Sequence, residues 1–173
     1  MKNNQALIII DMQKYLVTNE LYKKDELVTN IGKLINNARN SDVPIIYVKH
    51  TIDDDEDMGV NTEGWQIYSK IKPQKDDIVI LKYTPDAFYN TNLNDELKKR
   101  NIENIIIVGL QTEYCIDTTC RSAFRLGYNT ILVEDGHSTY DNELLKANKI
   151  IKHHNMVLSE WFVDLKLTKD IVF

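Results

Sequence analysis

Three side chains of complementary chemistry each follow a short apolar run. Ala6-Leu7-Ile8-Ile9-Ile10 ends at Asp11, and Ile78-Val79-Ile80-Leu81 ends at Lys82. Ile105-Ile106-Ile107-Val108 leads through Gly109-Leu110-Gln111-Thr112-Glu113-Tyr114 to Cys115. Taken singly, each has a plain reading: a turn carboxylate, a solvated amine, a small core thiol. Together, a carboxylate, an ammonium and a thiol are the parts of an acyl-transfer site. The thiolate is the nucleophile, and a free thiol with a pKa near ~8.5 is mostly protonated at neutral pH. Cys115 in the first turn of a helix would meet unpaired N–H groups that favour an anion, and a neighbouring Lys82 would lower its pKa further. Asp11 can take the thiol proton and return it to a leaving nitrogen. The Gly109–Thr112 turn can aim backbone N–H groups at a developing oxyanion.

For these residues to meet, the runs must be strands of one sheet whose carboxyl ends share an edge. Apolar runs alternate with helix-period segments along the whole chain. Residues from about Glu20 to Asn40 carry Leu21, Leu27, Ile31, Leu34, Ile35 and Ala38 at helical spacing. Ile45-Ile46-Tyr47-Val48 reads as the second strand, Trp65 to Ile71 as a short helix, and about Thr91 to Asn101 as a helix capped by Asn92 or Asn94. A helix follows from about Glu113 to Leu126, with Gly127 as its C-cap. Thr130-Ile131-Leu132-Val133 is a fifth strand, Asp141 caps a helix to about His154, and Met156-Val157-Leu158 reads as a sixth strand. Unbroken Ile/Val/Leu runs have both faces covered, which predicts a doubly wound, mostly parallel six-stranded sheet with helices on both faces, an α/β three-layer fold. In such sheets ligands bind beyond the carboxyl ends of the strands, where the strand order reverses.

The chain has 173 residues, which suits one domain over 1–173, with a tail from 159 to 173 that packs on the core or on a partner. Apolar residues are 43% and charged residues 27%, with 6 Gly and 3 Pro, a globular composition that excludes collagen-like and disordered classes. A formal charge of -5 lacks the basic footprint of a nucleic-acid binder, and the nine Tyr are scattered rather than gathered into a stacking platform. The N-terminal apolar run is too short to span a bilayer and has no cleavage site, so the expectation is a cytoplasmic protein with free thiols and no membrane partner. The C-x-x-x-x-C spacing of Cys115 and Cys120 does not suit a redox pair, since Cys120 lies about 500° further round a helix. Cys120 reads as a structural thiol.

The stretches LIIIDMQ around Asp11, LKYTPDAF around Lys82, IIIVGLQTEYCIDTTCRSAFRLGY around Cys115 and the following TILVEDGHST resemble the isochorismatase-like cysteine hydrolase superfamily, which includes nicotinamidase-related amidases. The resemblance runs from about Ala6 to Leu158, with the motifs in the family's order. It implies Asp11, Lys82 and Cys115 as a catalytic triad and a cis peptide between Leu110 and Gln111. It also implies an oxyanion hole from the Gln111 and Cys115 N–H groups, with Phe88 and Trp65 as walls of a substrate pocket. It further implies homo-oligomers.

One feature departs from the metal-dependent nicotinamidases, which carry an Asp-x-His pair and a further His between the second and third strands. Here that segment reads KHTIDDDEDMGVNTEGW, with His50 alone. Its Asp run fails the calcium-loop pattern, since Met58 stands at the Gly position and Gly64 at the twelfth. The expectation is therefore no metal and no cofactor. Asp53 to Asp57 reads as a solvated loop, and His153 and His154 as helix-end residues. Glu113 and Tyr114 flank the thiol; Tyr114 suits either substrate contact or packing of the helix on the sheet. The expected activity is hydrolysis of a C–N bond in a small amide-like molecule through a thioester, with nicotinamide as an alternative substrate. The other class of reading is a catalytically weak member that serves as a binding or scaffolding protein.

Overall fold

The computed structural model describes residues 4–173. Six strands, β1 (Gln5–Ile10), β2 (Ile45–His50), β3 (Ile78–Lys82), β4 (Asn104–Leu110), β5 (Asn129–Ser138) and β6 (Asp164–Lys166), form one sheet in the order β3-β2-β1-β4-β5-β6. Every neighbouring pair is parallel. Five helices connect them: α1 (Lys14–Thr18), α2 (Lys24–Asn40), α3 (Leu93–Lys99), α4 (Asp117–Leu126) and α5 (Ala147–Trp161).

Alternation along each strand divides the apolar residues between two cores. Leu7 and Ile9 of β1 join Leu27, Ile31, Leu34 and Ile35 of α2 on one face. Ala6, Ile8 and Ile10 join Leu93 and Leu97 of α3, Cys120 and Ala123 of α4 and Leu158 of α5 on the other. Both faces of the central strands are thus covered, which is why they read as uninterrupted aliphatic runs. The strand order reverses between β1 and β4, and β1 ends at Asp11 while β4 leads to Cys115.

Several element boundaries differ from those expected. Met156-Val157-Leu158 lies inside α5, and the sixth strand is Asp164–Lys166, paired with Ile131–Val133. A three-residue apolar run has no periodicity to separate strand from helix; Ile150 and Leu158, both buried, lie on one helical stripe. Helix α5 begins at Ala147, six residues after Asp141, yet Asp141 Oδ1 still accepts the Ala147 N–H at 2.9 Å from the preceding loop. His153 and His154 consequently sit in mid-helix. The Trp65–Ile71 segment is irregular at first, with Ile67 in an isolated antiparallel bridge to Gln13, and ends in a single 3₁₀ turn at Ser69–Ile71. Gly127 closes α4 at φ 86°, a left-handed cap suited to glycine.

Candidate active site

Asp11 is the first residue beyond β1 and holds φ 52°, in the left-handed region that Asp tolerates better than most side chains. Its N–H donates to Val48 O at 2.9 Å, tying the end of β1 to β2. Lys82 is the last residue of β3 and is in register with His50, the last residue of β2. Cys115 lies in a π-helical turn, Thr112–Ile116, that feeds α4; the turn is closed by the Ile116 N–H donating to Gln111 O at 3.1 Å. Such widened turns recur at functional sites because they re-aim one side chain. The Leu110–Gln111 peptide is cis.

These elements bring the three expected side chains together. Lys82 Nζ lies 2.7 Å from Asp11 Oδ2 and 3.2 Å from Cys115 Sγ. It also donates to Thr84 O at 3.1 Å and to His50 Nδ1 at 3.0 Å. The Lys82 and Asp11 side chains are 0% and 1% exposed, so the ion pair is buried. Asp11 Oδ1, equally buried, has no hydrogen-bond partner among the described residues, which leaves one carboxylate oxygen available to a proton. Cys115 is half-buried.

The electrostatics correct one expectation. The Cys115 thiol is pushed up to about 12, because burial and the Asp11 carboxylate disfavour a second anion more than Lys82 favours it. One ammonium already balances one carboxylate, so the resting thiol keeps its proton. For Lys82, burial alone would lower the pKa, but the Asp11 and Cys115 groups beside it hold it above the ordinary lysine value.

Asp11, His50 and Cys115 each offer a ligand atom within 4.8 Å of the others, a spacing compatible with a small cation. The Lys82 ammonium contacts all three and is itself that cation. The donor set is matched by a side chain of the protein and does not fit a metal in addition.

Other expected contacts are placed less directly. Trp65 donates its indole N–H to Thr51 Oγ1 at 3.0 Å, and the Lys49 ammonium lies 2.9 Å from the ring centroid. Burial lowers Lys49 to about 8. Phe88 is 9% exposed and stacks on Tyr128 at 5.7 Å within the apolar core, which places its ring in packing rather than on an open wall. Tyr114 is 56% exposed, which excludes the packing role and leaves its ring free. Glu113 accepts a hydrogen bond from Thr139 Oγ1 at 2.9 Å. A cavity of about 300 Å³ is lined by Tyr22, Glu26, His137, Lys152 and Asn155, and by none of Asp11, Lys82 and Cys115.

The sequence reading missed two supports. Gln13, fully buried, accepts the His50 N–H at 2.8 Å and donates to His50 O at 2.8 Å and Trp65 O at 3.1 Å. His137, in β5, lies buried between Thr112 Oγ1 and Asn155 Oδ1, each at 2.8 Å, and so links the π-helical turn to α5. Since the Asn155 oxygen can only accept, Nε2 carries the proton and Nδ1 accepts from Thr112. Burial lowers His137 to about 4, keeping it neutral.

The Isochorismatase domain family model matches residues 5–157. The uncharacterized isochorismatase family protein YddQ of Bacillus subtilis is 32% identical over 139 residues, covering 78% of this chain and 77% of its own length. A crystal structure of an isochorismatase family protein superposes with a TM-score of 0.89 at 34% identity, covering 96% of this chain and 99% of that one. An isochorismatase from Pseudomonas putida KT2440 gives a TM-score of 0.91 at 30% identity, covering 98% and 90%. Relatives named for an activity include Nicotinamidase 3 of Arabidopsis thaliana, 27% identical over 82% of this chain and 77% of its own. Another is the ureidoacrylate amidohydrolase RutB of Agrobacterium fabrum, 26% identical over 75% and 74%. With its parallel sheet in the same architecture and its sequence matched from the first strand into the last helix, the chain belongs to the isochorismatase family of hydrolases.

Proposed function

We propose that this hydrolase cleaves a C–N bond of a small amide-like molecule, with Cys115 as nucleophile, Asp11 as proton carrier and Lys82 as the cation between them. The observation that carries the reading is the Lys82 ammonium in contact with both Asp11 Oδ2 and Cys115 Sγ, beside an unpartnered Asp11 Oδ1. The thiol proton passes to Asp11, and Lys82 then faces a thiolate in place of a carboxylate, so the buried charge stays balanced during the transfer. Sγ bonds to the carbonyl carbon, and the negative charge moves to the former carbonyl oxygen. The oxyanion is held by the N–H groups of Gln111 and Cys115. Collapse of the tetrahedral adduct breaks the C–N bond, and the departing nitrogen takes the proton from Asp11. Water adds to the thioester while giving a proton back to Asp11; the acid leaves, and the thiol is restored by that proton. Relatives named as a nicotinamidase and a ureidoacrylate amidohydrolase support the bond type.

The test is a panel of small amides, ureides and carbamoyl compounds assayed for released ammonia. A substrate turned over by the wild-type protein and by Cys115→Ala at equal rates refutes the mechanism.

A further inference from the structure

Lys82 has three N–H bonds and four acceptors within 3.2 Å: Asp11 Oδ2, His50 Nδ1, Thr84 O and Cys115 Sγ. Two of the four change charge during the reaction proposed above, and two do not. We propose that His50 is a positioning residue: with the Thr84 carbonyl, its Nδ1 holds the Lys82 ammonium in place while negative charge passes from Asp11 to Cys115. The inference rests on the reading of Cys115 as the nucleophile.

An ammonium has donors and no acceptor, so the imidazole nitrogen facing it must accept and the proton of the neutral ring must lie on Nε2. The titratable groups facing the ring are Lys82, Asp11 and the Cys115 thiol; burial and the Lys82 charge lower its pKa, and Asp11 opposes them only in part. The ring is therefore a neutral acceptor at neutral pH. Its backbone is fixed from three sides. Gln13 holds both the N–H and the carbonyl of His50, and the β2–β3 pairing places His50 opposite Lys82. Thr84 O is a backbone atom two residues beyond Lys82. Without such neutral anchors the ammonium would settle on Asp11, its nearest and only fully charged acceptor, and move away from the sulfur just when a thiolate must form.

The experiment compares His50→Leu, which keeps bulk without an acceptor, with His50→Asn, whose amide oxygen can replace Nδ1. The rate of Cys115 alkylation by iodoacetamide is measured against pH, alongside kcat and KM on a substrate from the amide panel. Cys120 is completely buried, so alkylation of the native protein reads Cys115. His50→Leu is expected to raise the apparent thiol pKa by about one unit, a tenfold slower alkylation at a given pH below it. It should also lower kcat with KM little changed, and His50→Asn should recover most of both losses. A wild-type alkylation profile in His50→Leu overturns the proposal, as does an Asn variant no better than Leu. Should either variant fail to fold, nitrogen-15 NMR of the wild-type imidazole decides the matter: the proton on Nε2 at neutral pH supports it, and the proton on Nδ1 overturns it. Loss of the functional reading is separately visible as undiminished turnover by Cys115→Ala.

Discussion

Gly109 of β4 lies in register with Ile10 of β1, and a Cβ added to it would stand 2.0 Å from the Ile10 carbonyl oxygen. Ile10 immediately precedes Asp11, so this close approach of two backbones sets where the carboxylate leaves the sheet. Gly109 also holds φ 126°, a conformation L side chains rarely adopt. The obstruction is main chain, which cannot rotate away.

Gly109→Ala is therefore expected to cost about 3 kcal/mol or more, the combined effect of backbone strain and a steric clash. Gly127→Ala provides the contrast, since its φ of 86° is also left-handed but the space around it is open. That substitution should cost about 1 kcal/mol. Urea denaturation of the two variants measures the difference.

His137 gives the fold an acid-side weakness. It is neutral and buried, with its pKa lowered to about 4, whereas in the unfolded chain it titrates near the ordinary value of 6.5. Its folded pKa is depressed, so its contribution is complete above pH 6.5 and is lost as pH falls from there towards 4. Over that window the unfolded chain takes up a proton that the folded one refuses, worth about 3 kcal/mol. Stability measured from pH 7 to 4 should fall less steeply in His137→Gln than in the wild type, although the variant starts lower because Thr112 and Asn155 lose their partner.

Asp135 joins three parts of the chain. Its Oδ1 accepts from the Thr168 N–H at 2.7 Å and hydroxyl at 2.8 Å, and its Oδ2 from Asn30 Nδ2 at 3.1 Å. Asp135→Ala leaves the Thr168 N–H and hydroxyl unpaired, while Asn30 Nδ2 keeps its 3.0 Å bond to the Asp135 main-chain oxygen, and should cost about 2–4 kcal/mol. The 3₁₀ turn Thr168–Asp170 is held to β5 by these bonds. Limited trypsin digestion should accordingly cut at Lys166 or Lys169 faster in the variant, before the rest of the chain is attacked.

The site was legible in the sequence where geometry follows from topology. Strands of a parallel sheet end on one edge, so Asp11, Lys82 and the turn bearing Cys115 had to meet there once the fold was recognised. The same rule places His50 at the end of β2, but a histidine weighed only as a metal ligand conceals its use as an acceptor for Lys82. Thr84 contributes a main-chain oxygen, which no residue pattern reveals. The direction of the Cys115 pKa was hidden for a different reason. It depends on the balance between burial, one cation and one prior anion, and only distances decide that balance. Phe88 carries the expected aromatic character, but its stacking on Tyr128 is a pairing across 40 residues that local spacing does not encode.

Asp11 and Lys82 act on the thiol in opposite directions, and this separates reactivity from turnover. Asn suits the left-handed backbone at position 11 as Asp does, so Asp11→Asn preserves the turn while removing the charge. Asp11 raises the Cys115 pKa, and its neutral replacement leaves Lys82 with the sulfur as its natural counter-ion. Alkylation of Cys115 by iodoacetamide at pH 7 should thus become faster in Asp11→Asn, even as ammonia release falls by about 100-fold or more for want of a proton carrier. Lys82→Met should slow both, since the thiolate then loses the cation beside it while Asp11 remains. A slower alkylation in Asp11→Asn would mean that the carboxylate assists ionisation of the resting thiol, contrary to the charge balance derived for Asp11, Lys82 and Cys115.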